Sequence, residues 1–131
     1  IGVGECAGVV IDLIATLLFE SEEKITNSQE AFKENQFSDS IYYAYTAIVN
    51  TAKALLISEG IKTNTQAGII SSFQEQFVAT NKIELEGSFD DLVYQIKNEK
   101  PTKIFAASYL KDAKLFYSKI DAYRKTVVSH V

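Results

Sequence analysis

The chain has 131 residues, 47% of them hydrophobic, and a formal net charge of −4. That is the length of one domain, large enough to bury a core without disulfide or metal staples. A single cysteine excludes an internal disulfide framework, and 13 Lys and Arg without a basic run advertise no phosphate-tracking surface, leaving only local patches for the fold to assemble.

The chain opens "IGVGECAG", in which Gly2, Gly4 and Ala7 have the spacing of a G-x-G-x-x-A fingerprint. That spacing cradles a dinucleotide when a strand precedes it and a helix follows within a strand–helix–strand unit. Strand-like alternation is nearly absent from this sequence. Residues 1–8 are therefore expected to be a lead-in from an upstream domain, and a start at Ile1 rather than Met points the same way.

Helical spacing then recurs from end to end. A first helix is expected from about Glu5 to Asn35, with Val10, Leu13, Leu17, Ile25 and Phe32 as its inner stripe. Its middle, "SEEKITNSQE", is polar enough to allow a break. Ser38 or Asp39 is expected to cap a second helix that ends near Glu59, with Gly60 as its left-handed stop. Ile41, Tyr45, Ile48, Ala52 and Leu55 form its inner stripe. Ala44, Ala47 and Ala54 leave room for Phe73 and Phe77 of the next helix. That third helix is expected to be capped by Thr63 or Asn64 and to run to about Thr80. Ser88 with Asp91 resembles a capping box for a short fourth helix, Phe89 to about Asn98. Pro101 separates it from a fifth, about Thr102 to Val127, whose stripe includes Phe105, Tyr109, Ala113, Phe116, Ile120 and Tyr123. The expected fold is all-α: an antiparallel up-and-down bundle of four to five helices over residues 9–131.

Chemistry-bearing constellations are few. The one histidine, His130, cannot supply paired Glu-x-x-His di-iron ligands, and with Cys6 it is too little for a zinc site. No cofactor is expected in this chain. "AGVVIDLIATLLF" contains Asp12, is too short to cross a bilayer and lacks the basic flank of a signal peptide, so the expectation is a cytoplasmic protein that makes no membrane contact. In "IYYAYTA", Tyr42, Tyr43 and Tyr45 spread around one helix, so at least one must face outward.

The segment "AYTAIVNTAKALLISEGIKTNTQAGIISSFQEQFVATNKI" resembles the central part of the HEPN family, all-helical domains named for nucleotide binding. Many members carry A-Y-Y-A-x-x-H-A-A-K-A-L-L, then a T-H-x-G-x-I-x-x-F run, then F-V-K-T-G-K-I. Ala44, Tyr45, Ala47, Ala52, Lys53, Ala54, Leu55 and Leu56 match the first block. Thr65, Gly68, Ile70 and Phe73 match the second, and Phe77, Val78, Thr80, Lys82 and Ile83 the third. Thr46, Asn50, Gln66 and Asn81 depart from the pattern, standing for Tyr, His, His and Gly. The resemblance implies a homodimer and a polar cleft beside the second helix that accepts a nucleotide; Tyr43, Asn50 and Lys53 are the residues placed near it. Catalytic members use R-x4-6-H to cut RNA without metal, the His moving a proton and the Arg holding a phosphate. Arg124 and His130 have that spacing, "RKTVVSH", but at the C-terminus. The place expected for the motif reads "VYQIKNEKPTKIF", with neither Arg nor His.

"GVGECAG" is also similar to the junction after a siroheme nitrite/sulfite reductase-type module. The expected function is therefore a non-catalytic HEPN-like binding or interaction module at the end of a larger enzyme, partnered by a second copy or by the upstream domain. The alternatives are a metal-independent ribonuclease using Arg124 and His130, and a structural dimerisation bundle. Nucleic acid is not an expected partner of the non-catalytic form.

Overall fold

A computed structural model describes residues 3–129, with side chains from Gly8 to Thr126. Six α-helices make up the described chain: α1 (Val3–Lys33), α2 (Phe37–Ser58), α3 (Gln66–Phe73), α4 (Phe89–Val93), α5 (Gln95–Asn98) and α6 (Lys103–Ser129). No strand is present among the described residues. α1 runs without a break through its polar middle and already includes Gly4 and Ala7; Gly2 of the glycine fingerprint lies outside the described residues.

Three helix ends turn the chain by the same device. After α1, α2 and the segment ending at Val78, residues Asn35, Gly60 and Asn81 take left-handed φ values of 62°, 75° and 61°. In each, the following N–H reaches back to a carbonyl of the last turn: Gln36 to Ala31, Ile61 to Leu56 and Lys82 to Phe77, at 2.8–2.9 Å. This paired reversal satisfies carbonyls that the helix leaves open. Asn81 stands where the HEPN pattern has Gly, and asparagine is a residue that tolerates this conformation.

Several expected boundaries are corrected. α2 begins at Phe37 behind Gln36, which makes no side-chain cap, so Ser38 and Asp39 lie inside the first turn. Thr65, not Thr63 or Asn64, caps α3, its Oγ1 accepting from Gly68 N–H at 2.9 Å. Ser88 caps α4 as expected, accepting from Asp91 N–H at 3.0 Å. The expected third helix leaves α geometry at Gln74–Val78, a π turn in which Ala79 N–H donates to Gln74 O at 2.8 Å. The Gln74 side chain is drawn away to accept from Phe89 N–H at 2.7 Å, which ties this turn to α4. The expected fourth helix breaks at Tyr94 into α4 and α5.

The legs alternate in direction. Ser28 of α1 meets Ser40 of α2, and Ile14 meets Ala54, so these two helices are antiparallel. Small buried residues let them approach closely. Ser28 Oγ donates to Ser40 O at 2.7 Å, and Ser40 Oγ donates to Ser28 O at 2.9 Å. α3, the π turn, α4 and α5 together make the third leg. α6 then runs parallel to α2, with Tyr109 near Tyr45 and Tyr123 near Glu59.

The core centres on Phe73, whose ring lies 5.2 Å from Phe77, 4.4 Å from Phe89 and 5.3 Å from Phe116. Ala52, Leu55, Phe73, Phe77, Phe105 and Phe116 are all buried, as the sequence stripes predict. Ala44 belongs to this cluster, whereas Ala54 packs with Ile14 and Leu17 of α1, not with the phenylalanines. On α1 the expected stripe is buried at Leu17 and half-buried at Ile25 and Phe32, but Val10 and Leu13 are exposed. They lie on the turns of α1 beyond Ile14, the residue packed against Ala54 near the end of α2.

Candidate functional site

Tyr43 projects from α2 into a shallow groove against the last turns of α1, lined by Asn27, Glu30, Ala31, Glu34 and Gln36. Glu30 and Glu34 recur at helical spacing and make the groove acidic. The Lys24 ammonium sits 5.3 Å from the centre of the Tyr43 ring, a cation over an electron-rich face. Asn50 lies two turns along α2 from Tyr43 and is half-buried, as is Lys53. Neither lines the groove around Tyr43, so the structure does not gather the three residues round one cleft. Among the described residues Lys53 forms no ion pair, since the single salt bridge there joins Lys125 to Asp121.

The other candidate lies where α6 meets α1. Tyr117 Oη donates to Glu22 Oε1 at 2.5 Å, joining residues 95 apart in sequence. Burial, then the hydrogen bond and charge of Glu22, hold the Tyr117 phenol well above its usual range, and Arg124 opposes that shift. Arg124 is thus an electrostatic neighbour of Tyr117, half-buried and free of any carboxylate within salt-bridge distance among the described residues. Its proposed catalytic companion, His130, lies outside the described residues. Among the described residues no cluster of three or more His, Cys, Asp or Glu is placed to hold a metal. No described helix is long and apolar enough to cross a membrane.

Sequence reading missed two juxtapositions. The Glu22–Tyr117 bond carries no sequence signal. Tyr94 and Lys97 do carry one, being three apart on a helical stretch, and the Lys97 ammonium lies 3.9 Å over the Tyr94 ring.

The HEPN domain model matches residues 14–123, most of the bundle. This chain belongs to the HEPN domain family. A protein of Methanocaldococcus jannaschii, named as a candidate toxin, is 28% identical over 122 residues, covering 88% of this chain and 91% of its own. Within the HEPN match fall Tyr43, Asn50 and Lys53; Arg124 and His130 lie just beyond it.

Proposed function

We propose that this HEPN domain acts as a non-catalytic interaction module that self-associates through the N-terminal half of α1. The observation that carries this reading is the exposure of Val9, Ile11, Leu13 and Phe19, at 67%, 64%, 44% and 65%. Large apolar side chains clustered on one exposed segment mark association surfaces more often than chance. Val10 and Leu13 continue the stripe that Ile14 and Leu17 bury against α2, so this end of α1 carries core-type residues without an intrachain cover. A second copy supplies an equally apolar surface in a two-fold arrangement, in which one patch meets itself. Sedimentation of the whole chain tests the reading. Wild type is expected to sediment as a dimer, and the double variant Ile11→Glu, Phe19→Glu as a monomer of unchanged helicity. A wild-type monomer at high protein concentration would remove the reading.

A second reading is favoured by the relative named as a candidate toxin. In it the chain cuts RNA, with Arg124 holding a phosphate and His130 transferring the proton. Unpaired among the described residues, Arg124 is available for such a role. The first reading expects no cleavage of structured or single-stranded RNA. Cleavage abolished both by Arg124→Ala and by His130→Ala would establish the second.

A further inference from the structure

Folding assembles a row of tyrosines that begins at Tyr43 of the acidic groove and continues beyond it. Tyr42 and Tyr43 stand side by side on α2 with ring centres 6.2 Å apart. Tyr42 is also an electrostatic neighbour of Tyr45, one turn on, and Tyr45 is in turn a neighbour of Tyr94 across the gap between α2 and the α4–α5 break. The row is flanked by cations: Lys24 over the Tyr43 ring at 5.3 Å and Lys97 over the Tyr94 ring at 3.9 Å. Tyr42, in the middle, is 61% exposed, an unusual position for a ring that could pack.

The groove and the link differ in charge. Beyond Tyr43 the groove is acidic, lined by Glu30 and Glu34. Beyond Tyr94 the chain reads "KNEKPTK", with exposed Lys97, Lys100 and Lys103 against one acid, Glu99. Pro101, between those lysines, lines a hollow with Asn35, Gln36, Phe37, Ser38 and Asp39, which brings the basic link beside the first turn of α2, where Asp39 is a second acid and Gln36 is shared with the acidic groove. None of the three lysines has a carboxylate within salt-bridge distance among the described residues. A chain of net charge −4 thus presents one corner where unneutralised cations border aromatic faces.

Aromatic faces in series beside a basic track are what an unpaired nucleotide strand requires: every base has a π-face to stack, and each phosphate needs a cation. We propose that the tyrosine row is a binding surface for single-stranded nucleic acid, with a base stacked on Tyr42 and the adjoining phosphates carried by Lys97, Lys100 and Lys103. The Lys97 ammonium leaves the Tyr94 ring for a phosphate oxygen, which uncovers that ring for a second base. A duplex hides its base faces and is a poor ligand for the same surface. The strand runs from Tyr42 along Lys97, Lys100 and Lys103, and the carboxylates of Glu30 and Glu34 keep it out of the groove beside Tyr43.

The test uses the full chain and a fluorescein-labelled oligothymidine of about 12 nucleotides, within the usual site size of a stacking surface. DNA lacks the 2′-hydroxyl that metal-free RNA cleavage needs, so ribonuclease activity cannot confuse the readout. The chain has 7 Tyr and no Trp, so quenching of its intrinsic emission reports ring stacking directly. Binding is expected, with an affinity that falls as salt rises at a log–log slope of about −0.7 per phosphate contacted. Tyr42→Ala is expected to weaken it about five-fold or more, the loss of one stacked base. Tyr42→Phe keeps the ring and is expected to keep the affinity. Lys97→Glu is expected to weaken binding and lower the salt slope. The Ile11→Glu, Phe19→Glu variant is expected to bind as wild type does, which separates this surface from self-association. No binding at about 100 µM strand, the weak limit of non-specific association, would overturn the proposal. So would equal affinity for the duplex, or indifference to both Tyr42→Ala and Lys97→Glu.

Discussion

Phe73→Ala is the substitution that most directly probes how the bundle is held together. Phe73 is fully buried, and its ring lies within 4.4–5.3 Å of Phe77, Phe89 and Phe116. These neighbours come from the π turn, α4 and α6, so one side chain links the composite third leg to the long C-terminal helix. Truncating a buried Phe costs about 3–5 kcal/mol, from lost transfer energy and the cavity left behind. Three aromatic neighbours place this site toward the upper end, since each such pair adds about 0.5–1.5 kcal/mol beyond area burial. Against a total stability of about 5–15 kcal/mol that loss is a large fraction. Phe73→Leu keeps most of the volume and is expected to lose less than half as much. The assay is urea unfolding followed by far-ultraviolet circular dichroism on wild type and both variants, with the slope of the transition compared as well as its midpoint. A Phe73→Ala loss below about 1 kcal/mol, a value ordinary for surface sites, would refute the packing argument. An equal loss in Phe73→Leu would refute the aromatic part of it.

Four further outcomes follow from local geometry. Asn81→Ala is expected to lower stability by about 1 kcal/mol, because a Cβ-bearing residue without a short polar side chain is strained at φ 61°, while Asn81→Gly is expected to preserve it; thermal melts compare the two. Ser28→Ala is expected to cost about 1 kcal/mol in denaturant titrations, since it deletes one of the reciprocal inter-helix hydrogen bonds and leaves Ser40 still donating to Ser28 O. Thr65→Ala removes the α3 cap and is expected to cost about 1 kcal/mol by the same measurement. Tyr109, hydrogen-bonded to Val93 O at 2.8 Å, has its phenol pushed well above the usual value near 10.0, chiefly by burial. Its contribution is therefore constant below the unfolded-state value and is lost as pH rises above it, so stability is expected to fall in strong alkali, with Tyr109 ionising on unfolding in an absorbance titration.

The helices were legible because their signals are local. A 3.6-residue stripe, a proline at 101 and a glycine at 60 each act within a few residues, and helix boundaries fall near the proline and the glycine. What could not be read depends on contacts between distant segments. The π turn at Gln74–Val78 coincides with a side-chain bond to Phe89, fifteen residues away, and no periodicity encodes that. The break at Tyr94 lies inside a continuous apolar pattern, where Tyr109 Oη takes the carbonyl of Val93. The α3 cap shifted by one or two residues because Thr63, Asn64 and Thr65 follow one another and each is chemically competent.

The candidate surfaces show the same division more sharply. "IYYAYTA" announces three tyrosines around one helix, and helical geometry alone requires one to face water. It cannot announce that Tyr94, about fifty residues later, closes the row, because that meeting depends on how α4 and α5 return across α2. The basic link shows why a scan for charge runs fails here. Lys97, Lys100 and Lys103 are separated by polar residues and a proline, and in sequence they resemble any solvated connector. Their significance comes from position: Pro101 sets them beside the first turn of α2. The exposed end of α1 is the converse case. Val10, Leu13 and Leu17 read as one continuous inner stripe, and the spacing is real. The stripe outruns its intrachain partners, so apolar side chains serve as core at Leu17 and as open surface at Leu13 and Val10. Amphipathicity fixes which face of a helix seeks cover; the lengths of the neighbouring helices decide whether the same chain provides it.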